Sequence, residues 1–276
     1  MLGRAVIAAG GRGTKLRPLS RVVPKELFPI GRQPIIERIV EELAGAGIAE
    51  ILVVLTPEKE VIRQYLGDGS TWNVHIDYAY QPDSLGPADA ILRAESWTAG
   101  EPFALAFSDN LIEPAPGDHR SAPLLRLIAH RPEAGVAVLV EQVPSTALDR
   151  EHTVFASLDR PVRPTTTSFL HRASDHAVRP ESGEVTVVCA ARWVLSASIF
   201  PHLRRVSPRE DGESYLIDCV PDYLAETGPI TVVPLLAGEH RHNLDVWSRY
   251  LSRAGREALE APESTRDLGR ESVTAE

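Results

Sequence analysis

Short apolar runs alternate with amphipathic helical segments through the first half of this chain. The runs at residues 5–9, 51–55 and 103–107 contain no polar side chain, which is typical of strands buried on both faces. Between them, residues 35–43 repeat apolar side chains along one helical face, and residues 88–97 predict another helix. Short β–α connections require right-handed crossovers, so the pattern predicts an α/β fold with a doubly wound, mostly parallel, Rossmann-like sheet. Ligands of such sheets bind beyond the carboxyl ends of the strands.

The second half of the chain has a less regular pattern. Residues 143–185 contain many Pro, Thr, Arg and His residues, and strands are predicted again at 185–194 and 230–236. Nothing in the composition marks a linker between independent folding units, so we expect a single domain over residues 1–260. The polar segment 261–276 predicts a flexible tail.

Charge and hydropathy disfavour several classes of protein. A net charge of −9 over 276 residues argues against a general nucleic-acid binder. No apolar run approaches the roughly 18 residues of a membrane-spanning helix. Residues 1–10 lack the pattern of a signal peptide, and we expect a cytoplasmic protein. Cys189 and Cys219 lie in apolar segments without metal-ligand spacing, which predicts buried free thiols.

The first apolar run ends directly in a glycine-rich segment, GGRGT at residues 10–14. Glycines there allow a sharp turn and let backbone N–H groups approach a phosphate chain that a β-carbon would obstruct. Lys15, Arg17 and Lys25 follow as cations for a polyphosphate. The spacing matches neither the P-loop nor the dinucleotide-binding fingerprint, and an ordinary turn with surface cations is the alternative. The residues predicted to hold a nucleotide are Ala9, Gly10, Gly11, Gly13 and Thr14, with Lys15 and Lys25 as the catalytic cations.

This loop, together with the words PKELFPI and QPIIERIVEELAGAGIAEILVV after it, resembles the sugar-1-phosphate nucleotidyltransferases. The signature of that family is G-x-G-T-R-x-x-P followed by P-K, and its UTP–glucose-1-phosphate uridylyltransferases are the most similar group. The resemblance implies a Rossmann-like sheet with the family's insertions. It also implies transfer of a nucleotidyl group from an NTP, with UTP favoured, to a sugar 1-phosphate. It is strong over residues 4–112, moderate over 187–256 and weak over 143–186, where the acceptor should bind.

Two aspartates are the predicted ligands of Mg²⁺. Asp109 follows the apolar run at 103–107, where the resembled family has a metal-binding aspartate. Asp245, in the words HNLDVWSRY, matches the aspartate of the family's closing motif, although the residues after it differ. The alternatives are a turn opened by Asp109 and a helix cap formed by Asp245.

Gln81 and Gly86 occur in the words QPDSLGPADAI. The resemblance implies that Gln81 binds the edge of a pyrimidine and that the backbone at Gly86 approaches the base. An amide offers both a donor and an acceptor, which suits uracil or thymine. A plain turn before a helix is the alternative.

The sugar side departs from the family's pattern. Where the family has a glutamate and a lysine for the sugar and its phosphate, the resemblance aligns His171 and Arg172. Arg172 is therefore the predicted ligand of the sugar phosphate. Lys15 stands where an arginine is usual. Glu213 and Asp218 match a further family region that suggests helix packing and subunit contact more than chemistry.

The resulting hypothesis is a magnesium-dependent nucleotidyltransferase of nucleotide-sugar biosynthesis that releases pyrophosphate. In-line attack by the sugar phosphate needs no covalent intermediate, so catalysis is positioning and charge neutralisation. Three alternatives stay open: dTTP instead of UTP; an unusual acceptor such as a modified sugar phosphate, a cyclitol phosphate or a phosphonate; and a regulatory homologue without turnover. The expected partners are the NTP and the sugar 1-phosphate, with neither nucleic acid nor membrane. The oligomeric state, a homo-oligomer included, stays open.

Overall fold

A mostly parallel sheet with helices on both faces forms the centre of the protein. The computed structural model describes residues 2–133, 135–142, 154–158, 165–167, 171–172 and 185–260, with the backbone alone described in 154–186 and 257–260. The strands are β1 (Arg4–Ala8), β2 (Pro29–Ile30), β3 (Gln33–Pro34), β4 (Glu50–Leu55), β5 (His75–Tyr80), β6 (Phe103–Phe107), β7 (Asn110–Glu113), β8 (Ala137–Gln142), β9 (Val154–Leu158), β10 (Thr165–Thr167), β11 (His171–Arg172), β12 (Val185–Leu195), β13 (Ile230–Pro234) and β14 (His240–Asn243).

Two apolar cores lie on opposite faces of the sheet. Successive residues of a strand point to opposite faces, and in β1 Ala5 and Ile7 belong to one core whereas Val6 belongs to the other. Both cores are covered by helices, which explains why the central strands are apolar throughout. The helices are α1 (Ile35–Gly45), α2 (Glu60–Leu66), α3 (Pro87–Leu92), α4 (Glu95–Thr98), α5 (Ala122–His130), α6 (Phe200–Leu203), α7 (Val220–Glu226) and α8 (Trp247–Glu260).

The strand order of the main sheet is β10-β13-β8-β12-β6-β1-β4-β5. Neighbours are parallel from β6 to β5 and between β13 and β8, while β12 runs antiparallel to both β6 and β8. The predicted α/β fold with a doubly wound, mostly parallel sheet is confirmed. The carboxyl ends of β1, β4 and β6 therefore open at one edge of the sheet.

Several local predictions differ from the structure. Residues 88–97 do not form one helix but lie in α3 and α4, because the Ala94 N–H donates to the Ile91 carbonyl three residues back, at 2.9 Å, in a tighter turn. The antiparallel pair β7–β14 had no prediction, and a helix at the position of α8 was implied only by the alternative that Asp245 caps a helix. Residues 261–276 lie outside the described part, so the domain boundary at 260 stays a prediction. No helix in the described ranges is both long and apolar enough to cross a membrane.

Candidate active site

A cavity of about 510 Å³ opens at the carboxyl ends of β1 and β6. Its walls come from the glycine-rich loop after β1, the segment between β5 and α3, the residues that follow β6, and the strands β12 and β14. The residues predicted from the sequence that line it are Gly10, Gly11, Gly13, Thr14, Lys15, Lys25, Gln81, Gly86, Asp109 and Asp245.

The described lining of the cavity does not include the other two predicted site residues, Ala9 and Arg172. Ala9 is buried beneath the loop, and its carbonyl accepts a hydrogen bond from Lys59 at 2.7 Å. Arg172 belongs to β11, which pairs with β9. Its side chain lies outside the described part of the structure, so its contact with a sugar phosphate stays a prediction.

Gln81 follows β5 and is only 1% exposed. Its Nε2 donates to the Gly86 carbonyl at 3.0 Å and to the Asp89 carboxylate at 2.9 Å. Both N–H donors of the amide are thereby used, and Oε1 is the acceptor held beside Gly10. A β-carbon at position 10 would lie 2.1 Å from that Oε1 atom. Glycine at position 10 is therefore what allows the Gln81 amide to lie against the phosphate loop.

The loop that carries Gly86 is clamped against a distant segment. Ser214 accepts from the Ala88 N–H at 2.9 Å and donates its own N–H to the Leu85 carbonyl at 2.8 Å. Gly86 has φ of +89°, and a β-carbon there would lie 2.4 Å from the Ser214 oxygen, so the turn requires glycine. The clamp brings Glu213 into the cavity wall, where it accepts from Ser84 Oγ at 3.2 Å. The sequence assigned Glu213 to packing, and its position in the wall is a finding of the structure.

Lys25 and Asp109 form an ion pair of 2.5 Å between Nζ and Oδ2, with both side chains largely buried. Burial alone would raise the pKa of Asp109, but the charge of Lys25 and hydrogen bonds from Lys25 and Asn110 outweigh it and hold that pKa below its ordinary value. Burial would likewise lower the pKa of Lys25, yet the charges of Asp109, Glu26 and Asp245 raise it. At neutral pH the pair is fully charged.

Asp245 reaches the same cavity from the other end of the chain. Strands β7 and β14 pair antiparallel, and the Leu244 N–H donates to the Asp109 carbonyl at 2.8 Å. Asp245 Oδ2 lies 3.4 Å from Lys15 Nζ, and Oδ1 accepts from Arg249 at 3.0 Å. Each predicted carboxylate therefore contacts one of the two predicted lysines.

The donor set fits a hard divalent cation. Within the described ranges, no group of three or more His, Cys, Asp or Glu residues is arranged to hold a metal ion. The carboxylates of Asp109 and Asp245 nevertheless line one cavity, and the negative charge of each raises the pKa of Lys25. Mg²⁺ is typically bound by one or two carboxylates together with substrate phosphates and water. Asp109 and Asp245 are thus suited to hold it in the presence of a polyphosphate.

Arg241 is a cavity residue that the sequence did not single out. Its guanidinium donates to Asn110 Oδ1 at 3.3 Å and lies 3.5 Å from the Glu141 carboxylate at the end of β8. In the sheet, β8 and β1 lie on opposite sides of β6. Arg241 is therefore on the far side of Asp109 from the phosphate loop. A single arginine in the polar strand β14 has no sequence pattern that predicts such a position.

Of the two cysteines, Cys219 is buried and Cys189 is half-buried in the cavity wall; both are free thiols. Burial raises the pKa of Cys189 to about 11 and that of Cys219 to about 12. Both are therefore protonated and poorly nucleophilic at neutral pH.

Comparison with known proteins gives one family and one fold. Residues 4–146 match the family model described as nucleotidyl transferase. A UTP–glucose-1-phosphate uridylyltransferase of Escherichia coli strain K12 is 28% identical over 240 residues, which cover 79% of this chain and 80% of that protein. A glucose-1-phosphate thymidylyltransferase of Xanthomonas campestris is 39% identical over 109 residues, or 39% of this chain and 37% of that protein.

Among solved structures, a UDP-glucose pyrophosphorylase complexed with UDP-glucose aligns with a TM-score of 0.78. It covers 95% of this chain and 100% of its own, at 20% sequence identity. This likeness supports the same fold.

Proposed function

The chain belongs to the nucleotidyl transferase family, and we propose that it transfers a uridylyl group from UTP to a sugar 1-phosphate. The products are a UDP-sugar and pyrophosphate. The observation that carries the proposal is the meeting of two lysine–aspartate pairs, Lys25–Asp109 and Lys15–Asp245, beside a glycine-rich loop in one cavity.

The geometry supports in-line phosphoryl chemistry without a covalent enzyme intermediate. An oxygen of the sugar phosphate attacks the α-phosphorus, the bond from that phosphorus to the bridging oxygen breaks, and pyrophosphate leaves with the electron pair. Lys15 and Lys25 would neutralise charge on the phosphates as it develops. When bound by Asp109 and Asp245, Mg²⁺ would add charge stabilisation and hold the phosphate oxygens.

The orientation of Gln81 supports a uracil or thymine base. Its amide nitrogen is engaged by Gly86 and Asp89, and the acceptor Oε1 is held beside Gly10. An acceptor suits the N3–H of uracil and thymine, whereas N3 of cytosine is itself an acceptor. UTP and dTTP share this edge, and the 28% identity over most of the chain to a uridylyltransferase favours UTP.

The position of Arg241 supports binding of an anionic acceptor on the side of Asp109 that faces away from the phosphate loop. We propose that it contributes to binding of the sugar phosphate, together with Arg172. Its present contacts, to an amide oxygen at 3.3 Å and a carboxylate at 3.5 Å, are long for a guanidinium and are replaceable by a phosphate.

Pyrophosphate release tests the proposal directly. The protein is incubated with Mg²⁺, each of UTP, dTTP, CTP, ATP and GTP, and a panel of sugar 1-phosphates with glucose 1-phosphate first. We expect turnover with UTP and at least one sugar 1-phosphate, and markedly less with CTP. Tight binding of UTP with no pyrophosphate released from any acceptor would instead identify a nucleotide-binding homologue without this activity.

A further inference from the structure

A buried ion pair lies directly beneath the cavity without lining it. Lys59, at the end of the 3₁₀ turn Pro57–Lys59 after β4, lies 2.8 Å from Glu26 Oε1 through its Nζ. The side chain of Lys59 is 9% exposed and that of Glu26 is 0% exposed. Lys59 Nζ also donates to the Ala9 carbonyl at 2.7 Å, and Ser108 Oγ donates to Glu26 Oε1 at 3.2 Å.

Glu26 and the two groups that the pair binds are each next in sequence to a residue of the candidate site. Ala9 precedes Gly10 of the phosphate loop, Glu26 follows Lys25, and Ser108 precedes Asp109. The pair therefore joins three chain segments that approach the cavity separately. The segments carry the phosphate loop, the buried lysine and the first carboxylate.

A contribution to folding stability does not by itself explain why this ion pair is buried. The desolvation of a buried ion pair offsets most of its Coulomb attraction, and neutral residues of similar size often replace such pairs without loss. Glu26 Oε2 is buried and has no hydrogen-bond partner among the described residues, which adds a cost. Burial also lowers the pKa of Lys59 despite the opposing charge of Glu26.

We propose that Lys59 and Glu26 are positioning residues that fix the phosphate loop, Lys25 and Asp109 relative to one another for phosphoryl transfer. The inference rests on the proposed function. A misplacement of about 1 Å among reacting groups can lower a rate by about 10²-fold. We therefore expect loss of the ion pair to lower kcat more than it weakens binding of the acceptor.

The decisive variant is the double substitution Lys59→Met with Glu26→Gln. It replaces the ion pair by neutral side chains of similar length, so its melting temperature should fall less than that of Lys59→Met alone, the remaining loss coming from the Ala9 carbonyl, which loses its donor. Lys59→Met alone leaves Glu26 uncompensated and should melt lower. Glu239→Gln is the matched control, because Glu239 is another buried carboxylate that does not line the cavity. Among the described residues, it accepts hydrogen bonds from Arg126 at 2.9 Å and from the Leu236 N–H, and not from the segments that carry the phosphate loop, Lys25 or Asp109.

With UTP, Mg²⁺ and the best sugar 1-phosphate, we expect the double variant to lose about 10²-fold in kcat while KM for the sugar 1-phosphate changes by less than about threefold. The control should lose thermal stability and keep its kcat. A double variant with kcat within threefold of wild type would overturn the positioning role, as would an equal loss of kcat in Glu239→Gln. A wild type that releases no pyrophosphate would overturn the proposed function and this inference with it.

Discussion

Gly10→Ala tests how the phosphate loop and the base-binding segment depend on each other. The φ of Gly10 lies outside the left-handed region, so its backbone accepts alanine. The new β-carbon would lie 2.1 Å from Gln81 Oε1 and 3.2 Å from Gln81 Cδ, while the next neighbour, Thr56 Cγ2, is at 3.7 Å. The substitution therefore acts almost entirely on the Gln81 amide.

The size of the effect follows from these distances. Ordinary contact begins at 3.4 Å, so Oε1 must move by the difference from 2.1 Å, about 1.3 Å. That movement strains the two hydrogen bonds from Nε2, at 3.0 and 2.9 Å, and turns the acceptor away from the base. An unpaired N3–H costs about 1–3 kcal/mol, or about 5- to 150-fold in kcat/KM for UTP.

Kinetics with UTP and CTP, measured by pyrophosphate release, check this reasoning. In a Gln81→Ala background the β-carbon meets only Thr56, so Gly10→Ala should then cost less than about threefold. Gly11→Ala is a useful comparison, because its β-carbon would lie 3.7 Å from Lys25 Nζ and no closer to any other group. It should affect UTP and CTP alike. Additive losses from Gly10→Ala and Gln81→Ala, or equal losses for UTP and CTP in Gly10→Ala, would refute the argument.

Three further predictions follow from the same site. Lys25→Ala and Asp109→Ala should each lower kcat by about 10²-fold with an unchanged circular dichroism spectrum; near-normal turnover in either would contradict the assignment. EDTA should abolish activity and Mg²⁺ should restore it, and full activity in excess chelator would exclude a metal role for Asp109 and Asp245. Because burial raises the pKa of Cys189 to about 11, only about 0.1% of it is thiolate at pH 8, against about a quarter for an ordinary cysteine. Iodoacetamide should therefore alkylate Cys189 and Cys219 at least about 100-fold more slowly in the folded protein than in urea, as followed by mass spectrometry; equal rates would contradict the raised pKa of both thiols.

The parts of the fold that the sequence predicts are those set by local patterns. The apolar runs before Gly10 and Asp109 each predict a buried strand, and the structure has β1 and β6 at these positions. The assignment of Gly10 and Asp109 to a binding site then follows from the rule that ligands bind beyond the carboxyl ends of parallel strands. Asp245 was found only through the family resemblance, because no local pattern marks β14.

The residues that sequence reasoning missed depend on tertiary position. No apolar pattern marks Glu26 or Lys59 as buried, yet the structure buries both against each other. Arg241 and Glu213 reach the cavity only because β14 pairs with β7 and because Ser214 clamps the loop before α3. Such contacts arise from segments far apart in sequence, and neither periodicity nor propensity reports them.

The pairing of β7 with β14 also dictates when the site is complete during synthesis. Lys15 and Asp245 are separated by 230 residues, so their contact cannot form until the chain has been synthesised as far as residue 245. A nascent chain that has emerged as far as β13 already contains the phosphate loop and Asp109 but not the second carboxylate. We therefore expect nucleotide affinity to appear on the ribosome well before catalytic competence. Docking of β14 against β7 brings Asp245 beside Lys15 and completes the candidate site.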